Sequence, residues 1–251
     1  MEWALLLAGA FFAGLVDAVV GGGGLIQVPL LFNALPHQPP ATLFGSNKLA
    51  SVFGTSVATW RYSRRVRIPW RLVLPATLAA LVSAYLGALT VAVLPPTHLR
   101  PLVLALLLGV AMYTFRRKDF GCGGSGRPSQ AGDPLWAALI GAGIGFYDGF
   151  FGPGTGSFLI FLFIRVFALD FLHASVAAKV VNVATNLAAL AFFLPHGHVL
   201  YLTGLGMAVC NISGAVVGSH LALRHGSRFI RQLFLLVVSL LILRFAVDTL
   251  L

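Results

Sequence analysis

The sequence predicts an all-α fold: a polytopic helical membrane bundle of two inverted repeats, each with a Gly-broken hairpin plus three spanning helices. Three observations predict it: an apolar composition, long hydrophobic runs joined by short Arg-rich connections, and a motif that recurs in register half a chain later. Of 251 residues, 58% are hydrophobic and 10% charged, against roughly 45–50% and about 25% in soluble domains. A soluble fold of this size cannot hide that much apolar surface.

The runs Trp3–Val20, Trp70–Leu94, Arg100–Phe115, Leu135–Phe151, Val199–Leu223 and Phe229–Val247 reach or approach the roughly 20 residues that a bilayer-spanning helix needs. Helices over Ala41–Trp60 and Leu172–Leu194 complete the set. The net charge of +10 comes from 17 basic and 7 acidic residues, which in a soluble protein suggests a nucleic-acid partner. Their placement excludes that reading. Twelve of the 17 lie in three short connections: Arg61, Arg64, Arg65, Arg67 and Arg71; Arg116, Arg117, Lys118 and Arg127; Arg224, Arg228 and Arg231. That is the positive-inside pattern, and it sets these connections in the cytoplasm of a bacterial cytoplasmic membrane.

The only strongly polar, Gly/Ser/Pro-rich stretch, residues 116–134, has linker composition and separates an N-terminal membrane repeat (1–115) from a C-terminal one (135–251). Gly14-Leu-Val-Asp17-Ala-Val-Val-Gly21-Gly-Gly23 recurs as Gly145-Phe-Tyr-Asp148-Gly-Phe-Phe-Gly152-Pro-Gly154, an offset of 131. The same offset carries Leu31-Phe32 onto Leu162-Phe163 and Lys48 onto Lys179. The halves are therefore a duplication.

Counting passes between the basic connections places the turns at Pro95-Pro96 and Pro195–His198 outside. Leu135–Ala168 then enters from the cytoplasm and returns to it as a hairpin broken at Gly152-Pro-Gly-Thr-Gly156, where Gly and Pro both oppose continuous helix. Trp3–Leu35 is the matching hairpin, broken at Gly21–Gly24 and entered from outside; one long kinked span is the alternative. Both termini are expected outside. Without a basic n-region or a small-residue cleavage site, the first segment is expected to remain in the mature protein.

Opposed halves with Gly/Pro-interrupted segments at matching places point to a secondary transporter whose site lies at the breaks. Irregular backbone at membrane depth must be buried by protein or line a watery cavity. The helix starts that follow the breaks, with their free N–H groups and partial positive charge, suit an anion. The candidate binding residues are thus Gly21, Gly22, Gly23 and Gly24 in one half, and Gly152, Pro153, Gly154, Thr155, Gly156 and Ser157 in the other. Close helix packing by small residues is the plainer reading of these glycines.

Lys48 and Lys179 add a cation from each half, at an insertion cost of about 2.5–3.5 kcal/mol each that calls for a compensating role. Helical spacing puts Lys48, Ser51 and Thr55 on one face and Lys179, Asn182 and Asn186 on another. These stripes are expected to face one another near the midplane. Snorkelling to an interface is the alternative for Lys179. Pairing of the lysines with Asp17 and Asp148 is a further one, and a carboxylate that exchanges its lysine for substrate couples transport to protons; sodium is the other coupling ion considered. Asp17 and Asp148, four residues before each break, otherwise brace it.

Other chemistry is excluded or weak. The seven histidines and two cysteines show no ligand spacing, so no metal or other cofactor is expected. Gly152–Ser157 has no Lys-Ser/Thr pair after it and no strand before it, which excludes a nucleotide-binding loop. Ser213 and His220, the nearest nucleophile and base, are two helical turns apart, too far for activation, so the chain is not expected to be an enzyme. A passive anion channel is the nearest competing function.

The segment Gly145–Phe158 closely resembles the second-half signature of the TauE/SafE permease family, also called TSUP, and is most like its YfcA-like members. Gly21–Gly24 with Pro29, and Gly45-Ser-Asn-Lys48-Leu-Ala50, look like the first-half counterpart. The resemblance implies a multi-span permease, with no ATP, for sulfite or another small sulfur-containing anion. It also implies site roles for Gly21–Gly24, Lys48, Gly152–Gly156 and Lys179.

Overall fold

A computed structural model describes residues 2–95 and 132–250, with side chains for 3–95 and 132–225. The expected span Arg100–Phe115 and linker residues 116–131 lie outside the described residues. Among the described residues the regular structure is helical throughout: α1 (Glu2–Val20), α2 (Gly24–Ala34), α3 (Pro40–Ser63), α4 (Trp70–Val93), α5 (Asp133–Phe150), α6 (Thr155–Phe167), α7 (Phe171–Phe193) and α8 (Tyr201–Leu250).

The first four helices start at residues 2, 24, 40 and 70, and the second four at 133, 155, 171 and 201, each 131 later. The sequence offset is thus an offset of whole elements. Packing follows the same exchange of halves: α1 lies along α8 as α4 lies along α5, and α3 packs on α8 as α7 packs on α4.

Directions can be read from which residues touch. Gly141 lies on Ala76, Gly145 on Ala80 and Gly149 on Ala84, so α4 and α5 are parallel. Gly206 lies on Leu7, Gly14 on Asn211 and Gly218 on Leu15, so α1 and α8 are parallel too. The counterparts α3 and α7 run oppositely: Thr42, near the start of α3, meets His198 just beyond α7, while Tyr62 at its end meets Lys179 near the start of α7.

Small residues let these pairs approach closely. On α4, Ala76, Ala80, Ala84 and Ala88 recur every fourth residue, all fully buried, against Gly141, Gly145 and Gly149 at the same spacing on α5. Lipid offers apolar side chains no worse a solvent than protein does, so close backbone contact is what holds such helices together. The opposite face of α4 shows why lipid is the solvent. Leu74, Leu78, Val82, Leu86, Leu89 and Val93 are all exposed, an apolar stripe far too long for water. Exposed Trp60, Trp70 and Trp136 gather at the Arg-rich end, and Trp3 and Tyr201 at the other, as in the aromatic belts of membrane interfaces.

Among the described residues, four helices are long and apolar enough to cross a membrane: Trp3–Val20, Trp70–Val93, Phe171–Phe193 and Tyr201–His225. Helix α3 matches them in length with 24 residues but carries more polar side chains. Each break makes a hairpin rather than one kinked span: α2 turns back along α1 to set Leu30 against Gly9, and α6 turns back on α5 to set Phe158 against the Tyr147 ring. The return arms are short, 11 and 13 residues, or about 16 and 20 Å.

Two expectations need correcting. The reversal over Arg224–Arg231, with a separate span Phe229–Val247, does not occur: α8 continues as one helix of 50 residues to Leu250. The stretch has no proline, and Gly226 alone costs a helix only about 1 kcal/mol. The inference of an external C-terminus, which rested on that reversal, goes with it. Asp133 and Pro134, expected in the linker, instead open α5, where proline in the first turn forfeits no hydrogen bond.

Candidate functional site

The two breaks touch. Gly21, at φ +77°, comes so close to Gly156 that a β-carbon on it would lie 2.5 Å from the Gly156 carbonyl carbon. Only glycine suits that conformation and that space together. Across the contact, the Ser157 amide donates to Gly21 O at 3.1 Å and the Ser157 hydroxyl to Val20 O at 2.8 Å. Gly24 packs on Pro153. The expected free N–H groups at the start of α6 are therefore partly engaged by the carbonyls of the first break.

Gly152 and Gly154 also have positive φ, +95° and +85°, which turns the chain sharply enough to start α6 at Thr155. The Thr155 hydroxyl donates to Gly152 O at 2.7 Å, and the Tyr147 hydroxyl holds Pro153 O at 2.6 Å. Gly22 and Gly23 are buried within the first break.

Each lysine crosses to the other half. Lys48 from α3 forms an ion pair of 2.6 Å with Asp148 at the end of α5, both side chains almost wholly buried. A β-carbon on Gly152 would lie only 3.0 Å from the Lys48 ammonium, so the second break is shaped around it. Lys179 from α7 donates to the Asp17 main-chain oxygen at 3.2 Å and sits 4.9 Å from the centroid of the Tyr62 ring, a cation–π contact.

The carboxylate of half-buried Asp17 takes other donors, the Thr55 hydroxyl at 3.0 Å and, more weakly, the Gly23 amide at 3.4 Å. It holds the anion's place at the start of α2. Asp17 thus bonds to its own break, Asp148 pairs with Lys48 beside the second, and both lysine ammoniums lie inside the bundle rather than at a membrane interface.

The structure does not bring the two lysines to one point. Because α3 and α7 are antiparallel, with Tyr62 level with Lys179 and Thr42 level with His198, Lys48 stands near the level of Phe192. The lysines are therefore separated by about 13 residues of helix, on the order of 20 Å along the crossing. Thr55 and Asn186 fall at the centre. Asn186 and Asn182 are buried and bonded to each other at 3.2 Å, and Ser51 is half-buried on α3.

Several participants escaped the sequence reading. Tyr62, whose hydroxyl also donates to Ala18 O at 3.0 Å, supplies the ring under Lys179. Gln27, wholly buried on α2, accepts from the Asn211 amide at 2.9 Å. A glutamine within an otherwise apolar half-helix is itself a signal, since intramembrane polar residues face the bundle interior. Aromatic rings close the second break, with Phe44, Phe151 and Tyr147 in edge contact. Among the described residues no His/Cys/Asp/Glu group has metal-binding geometry.

The family model described as "Sulfite exporter TauE/SafE" matches residues 6–245. A "Probable membrane transporter protein ORF9" of Sinorhizobium sp. is 35% identical over 245 residues, covering 98% of this chain and 92% of its own. The "Probable membrane transporter protein YfcA" of Escherichia coli K12 is 31% identical over 249 residues, covering 98% and 91%. A "Probable membrane transporter protein" of Haemophilus influenzae is 30% identical over 245 residues, covering 98% and 94%. No solved structure matches the chain. Apolar helices, exposed apolar faces and these relatives make it a membrane transporter, and the chain belongs to the TauE/SafE sulfite exporter family.

Proposed function

We propose that the protein is a secondary transporter that moves a small anion, sulfite or another sulfur-containing anion, across the bacterial cytoplasmic membrane by alternating access. One observation carries the reading: each half's buried lysine reaches across to the aspartate beside the other half's break. An interior cation with an exchangeable anionic partner is what a transported anion needs. Sulfur enters only through the family description.

The chemistry follows from competition. A buried ion pair persists only while both charges are satisfied, so an oxyanion that takes Lys48 must leave Asp148 paired elsewhere or protonated. Protonation couples anion movement to a proton; a sodium ion at the freed carboxylate is the other way to balance it. The antiparallel course of α3 and α7 supports an inverted repeat, in which the Arg-rich connections are cytoplasmic and the start of α1 is external. The two breaks, in backbone contact, are the surfaces on which the halves rock.

Uptake of sulfite, thiosulfate, sulfoacetate and taurine into proteoliposomes, under imposed proton or sodium gradients, tests the proposal. Lys48→Ala and Lys179→Ala should each abolish uptake of the accepted anion while the protein remains monodisperse. Normal uptake by both variants overturns the site.

A further inference from the structure

We propose that the Arg-rich end of the bundle carries a second anion site, a vestibule where Arg61, Arg64, Arg65, Arg224 and His220 hold a hydrated oxyanion on its way to Lys179. The proposal rests on the anion-transport reading and adds a site separate from the breaks.

A cavity of about 860 Å³ lies between the end of α3, the start of α7 and the middle of α8. Among the described residues, four arginines and a histidine line it, and no carboxylate does. Positive-inside arginines need only stand in water to set topology. Arg61 does so only in part: it is half-buried, and its Nε is buried without a hydrogen-bond partner. A guanidinium N–H shut away from water without an acceptor is costly, and a planar fork of donors fits an oxyanion.

Position gives the cluster its role. Arg64 lies over the Trp60 ring at 5.5 Å, which fixes one guanidinium at the cavity wall. Arg61 is next in the chain to Tyr62, the residue whose ring carries the Lys179 ammonium. The vestibule therefore lies at the Lys179 end of α3, away from Lys48. The volume is many times the roughly 30 Å³ share of a water molecule, so the anion keeps part of its hydration shell while the Arg61 fork takes one side of it. Recognition here is by charge and fork geometry, which suits oxyanions as a class.

Trp60 lines the cavity and reports on it. The test uses the full chain with Trp3, Trp70 and Trp136 each changed to Phe, in nanodiscs of zwitterionic lipid, titrated with sulfate against chloride at constant ionic strength. A saturable change of Trp60 fluorescence with sulfate is expected. Arg61→Gln and Arg61→Lys should both weaken it roughly tenfold or more, as loss of a charge-assisted bond implies, while the double change Lys48→Met with Asp148→Leu, which strands no buried charge, leaves it in place.

Arg61→Lys keeps the topological charge, so a response that it leaves unaltered overturns the proposal. A response abolished by the double change Lys48→Met with Asp148→Leu also overturns it, because the signal then belongs to the breaks. Adding anionic lipid separates the two sources of oxyanion: a sulfate response that disappears means a headgroup fills the vestibule, which overturns it too. If anion transport fails while the Trp60 response persists, the transport reading falls and the vestibule stands.

Discussion

Lys48 and Lys179 occupy corresponding positions but meet unlike partners. Lys48 is locked to a carboxylate, while Lys179 rests on a carbonyl and an aromatic face. Removing one member of a buried pair strands the other, at a cost of about 3–5 kcal/mol. Asp148→Asn should therefore lower the thermal midpoint sharply in detergent, and the double change Lys48→Met with Asp148→Leu should recover most of that loss without recovering transport. Thr55→Val takes a hydroxyl from the Asp17 carboxylate, a loss of about 1.5–3 kcal/mol, and should lower transport by unsettling the first break. Both lysines and both aspartates were legible in the sequence, because charge is rare in apolar helices. Pairing of the lysines with the aspartates was legible only as one alternative and without its crossing between halves, and only Lys48 forms an ion pair. The roughly 20 Å between the lysines was hidden, since it depends on the register of α3 against α7.

Helix pairs rather than single contacts hold the bundle, and their glycines are spacing devices. Gly149→Leu would drive a branched side chain into the Ala84 backbone of α4; overpacking of this kind costs about 1–3 kcal/mol, so expression and thermal midpoint should fall. Gly143 is the control, because nothing lies within 4 Å of the place its β-carbon would take, and Gly143→Ala should change neither. Gly21→Ala joins a clash with Gly156 to a left-handed backbone, so transport should be lost even where folding survives. The duplicated motif revealed that the halves correspond at an offset of 131; that every described element starts at that offset came from the structure. The motif could not reveal that α8 runs on past Arg231: charge marks where chain meets the cytoplasm but does not stop a helix that lacks a breaker.

At the scale of the molecule, the account requires the two halves to sit in the membrane in opposite senses. With Cys122 and Cys210 changed to Ser, a cysteine at Ser63, exposed at the Arg-rich end of α3, should react with a membrane-impermeant maleimide only from inside. One at Gly197, in the turn before α8, should react only from outside. Labelling of both from one side contradicts the inverted arrangement. The central claim is that an anion moves by alternation rather than through an open pore, and counterflow tests it most directly. Proteoliposomes loaded with unlabelled sulfite and diluted into a trace of labelled sulfite should show a transient overshoot of label inside, lost in Lys48→Ala and Lys179→Ala. Label that equilibrates without overshoot, or an overshoot that both variants retain, would contradict the account.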